Sequence, residues 1–313
     1  MSETGYPIDL VIPMVFPQDP KWQAEYRRLH GGCPAASHVR WRSWGTEELL
    51  VRCCFKYMPW LRCIYLLLAG EGQVQEWMRD RSADAEGTAA GADAKRTVVR
   101  VVFHRDFIPE KYLPCFTSPT IEMFLRNIPG LSEHFIYGND DMFPLSPLSA
   151  DDFFRGGLPC QHLTEHPFPV RPNLFQRKCL NQQNMIAAPF GKHYTKTWLK
   201  NGHSLQPMLL STCREVWERY GSEIRKYLSP ITRTEHSYSQ YIYPLYQYYT
   251  GKYADHAPWQ KYLGAKTTLQ ELIDAIRDPH AGIVCVNDNE GIHDWQCRSE
   301  LVRTAIELKL EGS

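Results

Sequence analysis

The chain has 313 residues, of which 43% are hydrophobic and 22% are charged, and its 35 basic and 35 acidic residues give a formal net charge of zero. This length and apolar fraction predict a protein with a sizeable core, and the lack of a basic excess argues against a general nucleic-acid binder. The ten cysteines form no zinc-ligand pattern and favour a reducing compartment. Because no signal peptide or membrane-spanning segment is evident, we expect a cytoplasmic protein, at most peripheral at the inner face of a membrane.

Strands and helices alternate in the first part of the chain. Short β-branched runs predict strands, and apolar residues at helical spacing predict helices. The predicted strands cover residues 8–12, 62–69 and 97–103, and the predicted helices cover residues 20–29 and 46–57. Residues 82–95 are small, polar and repetitive, so we expect a flexible surface excursion there. Such alternation is typical of an α/β fold with a mostly parallel sheet and helices on its faces.

Residues 113–143 combine a short helix, a turn, a buried strand and an acidic loop. Ser118-Pro119 predicts the start of the helix, and the strand formers at 134–138 lead into Asn139-Asp140-Asp141. Acidic side chains just past the carboxyl end of a buried strand lie where open α/β sheets bind ligands. Two hard oxygen donors there suit Mg²⁺ or Mn²⁺ held together with substrate phosphates. All three residue types also favour turns, so an ordinary turn is the alternative interpretation.

A second strand with the same ending occurs near the other end of the chain. Residues 282–286 predict a buried strand, and Asn287-Asp288-Asn289 follows it directly. We therefore predict that the two polar loops form two walls of one site.

The rest of the chain predicts one domain with a variable middle. Residues 1–150 form the first half of this single domain, and residues 151–202 read as a loop-rich insertion. Residues 203–313 predict a helical region that completes the site, with His203 just before a long amphipathic helix. In the predicted helices, apolar or tyrosine residues recur at helical spacing; these helices cover residues 204–228, 236–249, 268–277 and 295–308.

Several stretches resemble, in order, the conserved regions of the Stealth family, which includes bacterial capsule polymerases and the lysosomal-enzyme GlcNAc-1-phosphotransferase. The most specific pieces are SPTIE, IPGLSEHFIYGNDDMF and VCVNDN, and the stretch from His203 through TRTEHSYSQYIYPLYQYYTG is similar to the third region. The resemblance implies a Rossmann-like core akin to nucleotide-sugar glycosyltransferases, with helical insertions.

The resemblance also implies a reaction and its partners. Family members transfer a hexose or N-acetylhexosamine 1-phosphate from a nucleotide-sugar donor to a glycan or polysaccharide hydroxyl and release a nucleoside monophosphate, in capsule or exopolysaccharide synthesis. The expected partners are this donor and acceptor, with no nucleic acid, and with peripheral association to a membrane-bound capsule assembly. Mg²⁺ or Mn²⁺ is the expected cofactor.

Individual positions match the family's functional residues. His203 matches a histidine that would act as general base, since the reference pKa of histidine, about 6.5, suits that role. Arg233 would bind phosphate oxygens, and Glu122 would orient the hexose or take part in proton transfer. The expected metal ligands are Asp140, Asp141, Asp288 and Asn289, with Asp141 also counted as catalytic. The expected donor-binding residues are Asp9, Asp19, Arg52, Asn139 and Asn287.

The chain departs from the family pattern after the first strand. Residues 14–19 read MVFPQD, without the glycine that family members carry there, and the loss of this permissive backbone position bears on donor binding. Two alternatives stay open at this point. One is a conventional metal-dependent glycosyltransferase that releases a nucleoside diphosphate, and the other is a non-catalytic binding protein.

Overall fold

The computed structural model describes residues 5–32, 41–79, 97–288, 292 and 294–312. The predicted excursion at 82–95 and the predicted metal ligand Asn289 lie outside these residues. None of the described helices is both long enough and apolar enough to cross a bilayer.

The strands and helices of the described residues follow one another along the chain as predicted for an α/β fold. The strands are β1 (Ile8–Pro13), β2 (Cys63–Leu68), β3 (Val98–Phe103), β4 (His134–Tyr137), β5 (Met142–Pro144), β6 (Phe154–Arg155), β7 (Leu158–Gln161), β8 (Thr164–Pro167), β9 (Thr197–Lys200), β10 (Gln206–Leu209), β11 (Ala254–Asp255), β12 (Gln260–Leu263) and β13 (Ile283–Val286). The helices include α1 (Pro20–His30), α2 (Glu47–Tyr57), α3 (His104–Phe107), α4 (Ser118–Met123), α5 (Leu174–Ala187), α6 (Leu210–Lys226), α7 (Ile242–Thr250), α8 (Leu269–Arg277) and α9 (Trp295–Glu311).

The central sheet is Rossmann-like in its strand order. In the described part of the chain its five strands lie in the order β10-β4-β1-β2-β3, with β1 to β4 mutually parallel and β10 antiparallel to β4. The chain therefore steps outward from β1 to β3 and returns to place β4 on the other side of β1. This reversal opens a crevice between the carboxyl ends of β1 and β4, where open α/β sheets bind their ligands.

Both faces of this sheet are buried, which explains why its strands read as almost continuous apolar runs. On β1, Ile8, Leu10 and Ile12 pack on one face, and Val11 packs on the other. Helices α2, α8 and α9 contribute to the first core, and helices α4, α6 and α7 contribute to the second. The predicted mostly parallel α/β architecture is confirmed.

A second sheet brings the two polar loops together. Its order is β12-β13-β5, and β13 runs antiparallel to β5. Because the end of one antiparallel strand lies beside the start of its partner, Asp141 before β5 is adjacent to the loop after β13. The Val286 N–H donates to the Asp141 carbonyl at 2.8 Å.

Two predictions about the second half of the chain were wrong. The helix predicted at 204–228 begins only at Leu210, because residues 206–209 form edge strand β10, where Pro207 is tolerated. The stretch 151–202 is not mainly loop; it contains four short strands and helix α5. The hydrophobic pattern did not indicate these elements, because polar residues in them make internal hydrogen bonds. For example, the Leu199 N–H donates to Gln183 Oε1 at 2.8 Å.

Candidate active site

A crevice opens at the carboxyl ends of β1 and β4. It has a volume of about 220 Å³, and Val15, Asn139, Asp140, Asp141 and Arg233 contribute to its walls. A neighbouring cavity of about 280 Å³ shares four of these residues and adds the side of the β13 loop, with Asn287 and Asp288. The structure therefore places both predicted polar loops and the predicted phosphate-binding arginine around one space.

The loop after β1 keeps an ordered course although it lacks the glycine expected from the family pattern. The Phe16 N–H donates to Gln73 Oε1 at 3.3 Å, and Gln73 Nε2 donates to the Phe16 carbonyl at 3.4 Å. Among the described residues, positive φ angles occur only at glycines. The course of residues 14–19 therefore requires no glycine, and Val15 lines the crevice.

Asp141 is held by neighbours on three sides. Its Oδ2 accepts hydrogen bonds from Asn287 Nδ2 at 3.1 Å and from Cys285 Sγ at 3.4 Å, and His203 Nε2 lies 3.9 Å away. Its Oδ1 is buried and has no hydrogen-bond partner among the described residues. Burial acts to raise the pKa of Asp141, but the neighbouring His203, Asn287 and Cys285 outweigh burial and hold the pKa below its ordinary value. Asp141 is therefore an ionised carboxylate with one oxygen available.

The pKa of Asp140 is shifted in the opposite direction from the pKa of Asp141. Burial and the carboxylates of Asp141 and Glu47 raise the pKa of Asp140 to about 8. Acidic groups packed together with an unpaired carboxylate oxygen favour a bound cation, which would relieve their mutual repulsion. The donors at this point are the carboxylate oxygens of Asp140 and Asp141, and such hard oxygen donors fit Mg²⁺ or Mn²⁺.

Asp288, predicted as a metal ligand, is already engaged. Both of its oxygens accept hydrogen bonds from Arg42 in a bidentate ion pair, and both side chains are largely buried. Arg42 also donates to the Ile292 carbonyl at 3.3 Å and lies over the Trp295 ring. The Asp288 charge is therefore compensated by a guanidinium in this structure, and its role as a metal ligand stays a prediction.

His203 lies beside Asp141 and faces a second cavity. Its Nδ1 is 3.0 Å from the hydroxyl of Tyr241, and its ring packs edge-on against Tyr262. Burial raises the pKa of Tyr241 well above its ordinary value, so Tyr241 stays a neutral phenol. When Nδ1 carries the proton and donates to Tyr241, Nε2 presents a lone pair on the side of Asp141.

Glu122 lies behind the crevice and lines neither cavity. Its Oε1 accepts from the Tyr137 hydroxyl at 3.2 Å, and its Oε2 accepts from the Gln240 N–H at 2.7 Å. Tyr137 ends β4 and Gln240 precedes Tyr241, so Glu122 ties the strand below Asp140 to the segment that holds His203. In this arrangement the Glu122 carboxylate acts by holding Tyr137 and Gln240 in place, and these residues adjoin the site.

Three predicted donor-binding residues line neither the crevice nor the neighbouring cavity. Asp9 sits near the start of β1, at the opposite end from the crevice; it is fully buried and accepts hydrogen bonds from Arg62 and from the backbone and hydroxyl of Ser132. Asp19 caps α1 by accepting from the Lys21 N–H at 3.0 Å. Arg52 lies half-buried on α2 and lines neither cavity. Asp9 and Asp19 make structural contacts, Arg52 lies on a helix face, and the role of all three in donor binding stays a prediction.

Sequence reasoning missed three residues at the site: Arg42, Tyr241 and Cys285. Strand alternation places residues 285 and 287 on one side of β13, so the contact of Cys285 with the acidic loop could have been inferred. Arg42 and Tyr241 reach the site across long separations in the chain, and no local pattern marks them.

A larger cavity of about 590 Å³ is lined by His203 and Asn287, and Asn287 also lines the neighbouring cavity of about 280 Å³. Residues 163–202, helix α7 and strand β12 supply most of its walls. His203 and Asn287 therefore contact the large cavity on one side and Asp141 on the other.

Comparisons with known proteins agree with the resemblance seen in the sequence. Stealth protein CR2, conserved region 2, matches residues 40–159. The chain is 28% identical over 239 residues to the capsular polysaccharide phosphotransferase LcbA of Aeromonas hydrophila, covering 73% of this chain and 62% of LcbA. It is 26% identical to the receptor polysaccharide phosphotransferase WefC of Streptococcus oralis, covering 92% of each chain.

A third relative is the exopolysaccharide phosphotransferase cps2G of Lactiplantibacillus plantarum, which is 25% identical and is matched over 97% of this chain and 94% of its own length. The chain spans less than two thirds of the length of LcbA and of two Actinobacillus relatives, at 62%, 65% and 66%. The apo-form glycosyltransferase GlyE of Streptococcus pneumoniae superposes with a TM-score of 0.41 at 9% identity, over 98% of this chain and 62% of GlyE. The resemblance to the Stealth family is confirmed.

Proposed function

We propose that this chain, which carries the second conserved region of Stealth proteins, transfers a hexose or N-acetylhexosamine 1-phosphate from a nucleotide sugar to a glycan hydroxyl. The product is a phosphodiester, and the leaving group is a nucleoside monophosphate. Because the similar proteins are capsular and exopolysaccharide phosphotransferases, we place the reaction in the synthesis of a surface polysaccharide. The free cysteines of the described residues are consistent with a reducing, cytoplasmic setting.

One geometric observation carries this proposal. An ionised aspartate with an unpaired buried oxygen, Asp141, lies 3.9 Å from the imidazole of His203, at the sheet edge where nucleotides bind in Rossmann-like folds. A carboxylate suited to holding a phosphate-bound cation and a candidate base thus lie side by side between two cavities. One cavity is suited to a donor and the other to an acceptor.

Different residues of the chain would perform different steps of the reaction. Asp140 and Asp141, with the Asn287 amide nearby, would hold Mg²⁺ or Mn²⁺, and a bound ion neutralises charge on the pyrophosphate. Arg233 lines the crevice opposite the acids, and its guanidinium fits non-bridging phosphate oxygens. His203 Nε2 accepts the proton of the attacking hydroxyl. The new bond joins the acceptor oxygen to the phosphorus that carries the sugar, and the broken bond is the bridging P–O bond, whose electron pair leaves with the nucleoside monophosphate.

Product analysis tests the proposal directly. The purified protein is incubated with Mg²⁺, a panel of nucleotide sugars and short glycan acceptors, and the released nucleotide is identified. Nucleoside monophosphate together with a phosphodiester-linked product supports sugar-phosphate transfer. Nucleoside diphosphate means attack at the anomeric carbon and overturns the proposal in favour of a conventional glycosyltransferase. If neither nucleotide is released and calorimetry detects no donor binding, a non-catalytic role replaces it.

A further inference from the structure

The cavity of about 590 Å³ beside His203 has the size of a small-molecule site, since such sites measure roughly 300–1,000 Å³. It lies on the far side of His203 from the donor crevice. A ligand in this cavity would contact the imidazole of His203 directly. A ligand in the crevice would be separated from that imidazole by Asp141.

A buried amide in the cavity wall has an unused hydrogen-bond donor. Gln182 is 1% exposed, and its Oε1 accepts from the backbone N–H of Ser239 at 3.2 Å and from the Ser239 hydroxyl at 3.1 Å. Because a backbone N–H can only donate, this contact fixes which end of the amide is oxygen. Gln182 Nε2 has no hydrogen-bond acceptor among the described residues. The thiol of Cys179 lies close by, but thiol sulfur is a weak acceptor.

Aromatic side chains with exposed faces complete the walls. Phe175 is 45% exposed and Tyr262 is 54% exposed, although both line the cavity. The hydroxyl of Tyr262 donates to Asn287 Oδ1 at 2.7 Å, and Asn287 in turn donates to Asp141. Flat apolar faces beside a few fixed polar groups suit a sugar ring, which has apolar C–H faces and a polar edge of hydroxyls.

The charged side chains that line the cavity indicate which net charge a bound sugar can carry. Lys200 and Lys261 line it, and no Asp or Glu does so among the described residues. A sugar carrying a free ammonium group would find no partner carboxylate here. A neutral or anionic sugar meets no like charge.

We infer that this cavity binds the terminal pyranose of the acceptor glycan and that Gln182 determines acceptor specificity by donating a hydrogen bond from Nε2 to an oxygen of that sugar. The inference rests on the proposed function. In this arrangement the accepting hydroxyl reaches His203 from the large cavity, while the donor phosphorus reaches it from the crevice.

The test uses Gln182→Glu, which keeps an oxygen for the Ser239 contacts and replaces the donating amide nitrogen with a second oxygen. A matched control is available next to it. Gln183 is fully buried, its Oε1 is likewise fixed by a backbone N–H, and its Nε2 likewise lacks a partner, but it does not line the cavity. Thermal unfolding of both variants checks that they are folded. A third variant, Tyr262→Ala, removes an aromatic wall without placing a charge in the interior.

The probes are short oligosaccharides from partial hydrolysis of the producing strain's own surface polysaccharide. We expect Gln182→Glu and Tyr262→Ala each to weaken oligosaccharide binding, measured by calorimetry without donor, by roughly tenfold or more. Donor affinity should be unchanged in Gln182→Glu, and Gln183→Glu should bind the oligosaccharide as the wild type does. Unchanged binding by folded Gln182→Glu, or no oligosaccharide binding by the wild type, overturns the inference. Gln182-dependent binding without any phosphate transfer supports the cavity's role and instead overturns the proposed function.

Discussion

Asn287 donates a hydrogen bond from Nδ2 to Oδ2 of Asp141 at 3.1 Å, across 146 positions of the chain. This contact fixes the carboxylate in one orientation and leaves its Oδ1 buried without a partner among the described residues. The carboxylate is therefore oriented in advance of any ligand. Such preorganisation is what an electrostatic site for phosphoryl transfer requires.

Removing the charge of Asp141 should impair cation use. In Asp141→Asn, the side chain loses its negative charge, and we expect the apparent Mg²⁺ affinity to fall by roughly 10- to 100-fold or more, with a matching loss of turnover at low Mg²⁺. The measurement is nucleotide release as a function of Mg²⁺ concentration. Cys285→Ser is the control, because serine keeps a donor toward Asp141 Oδ2. An unchanged Mg²⁺ dependence in Asp141→Asn would remove Asp141 from the set of metal ligands.

His203→Ala should lower kcat by about two to four orders of magnitude, because it removes the group that accepts the hydroxyl proton. Donor affinity, measured by calorimetry, should change little. Tyr241→Phe keeps the ring but loses the hydrogen bond to Nδ1, so a smaller loss of roughly two- to tenfold is expected. If His203→Ala turns over at the wild-type rate, another group is the base.

The raised pKa of Asp140 predicts a pH-dependent stability of the metal-free protein. Its pKa is about 8 in the folded state and near 3.8 when unperturbed, so between these values the folded state keeps a proton that the unfolded state releases. The stabilising contribution is therefore complete below about pH 4 and is lost as the pH rises to about 8. We expect the thermal midpoint in chelator to fall from pH 5 to pH 8 more steeply for the wild type than for Asp140→Asn.

Added Mg²⁺ provides a check on this pH effect. Because the cation favours the ionised carboxylate, it should restore the wild-type midpoint at pH 8 more than at pH 5, and should do so less in Asp140→Asn. Equal pH slopes for the wild type and Asp140→Asn would contradict the assignment.

Asp9 should matter for stability and not for donor binding. Asp9→Asn weakens its contacts with Arg62 and Ser132 at a fully buried position, and we expect the free energy of unfolding to fall by about 1–3 kcal/mol. Denaturant unfolding measures this loss, and calorimetry of the folded variant should give an unchanged donor affinity. A large loss of donor affinity in folded Asp9→Asn would instead support the donor-binding role predicted from the sequence.

Local patterns predicted what depends on local chemistry. The apolar runs of β1 to β4 and β13 follow from short-range preferences. So does the capping box that opens α8, where Thr268 and Glu271 exchange hydrogen bonds. Local sequence patterns could not predict contacts between residues that are far apart in the chain. The Arg42–Asp288 pair spans 246 positions, and the burial of Asp9 at the far end of β1 depends on Arg62 in a neighbouring loop. Acidic residues of similar local appearance thus have different roles.

The walls of the two cavities come from different parts of the chain. The crevice draws mainly on residues after β1 and β4, whereas the large cavity draws mainly on residues 163–202 and 241–262. Under the proposed function, mutations in the later segments would change the glycan that is recognised and leave the phosphate chemistry intact. Under the proposed function, this division would let acceptor recognition diverge through changes in one cavity wall while the residues of the reaction stay the same.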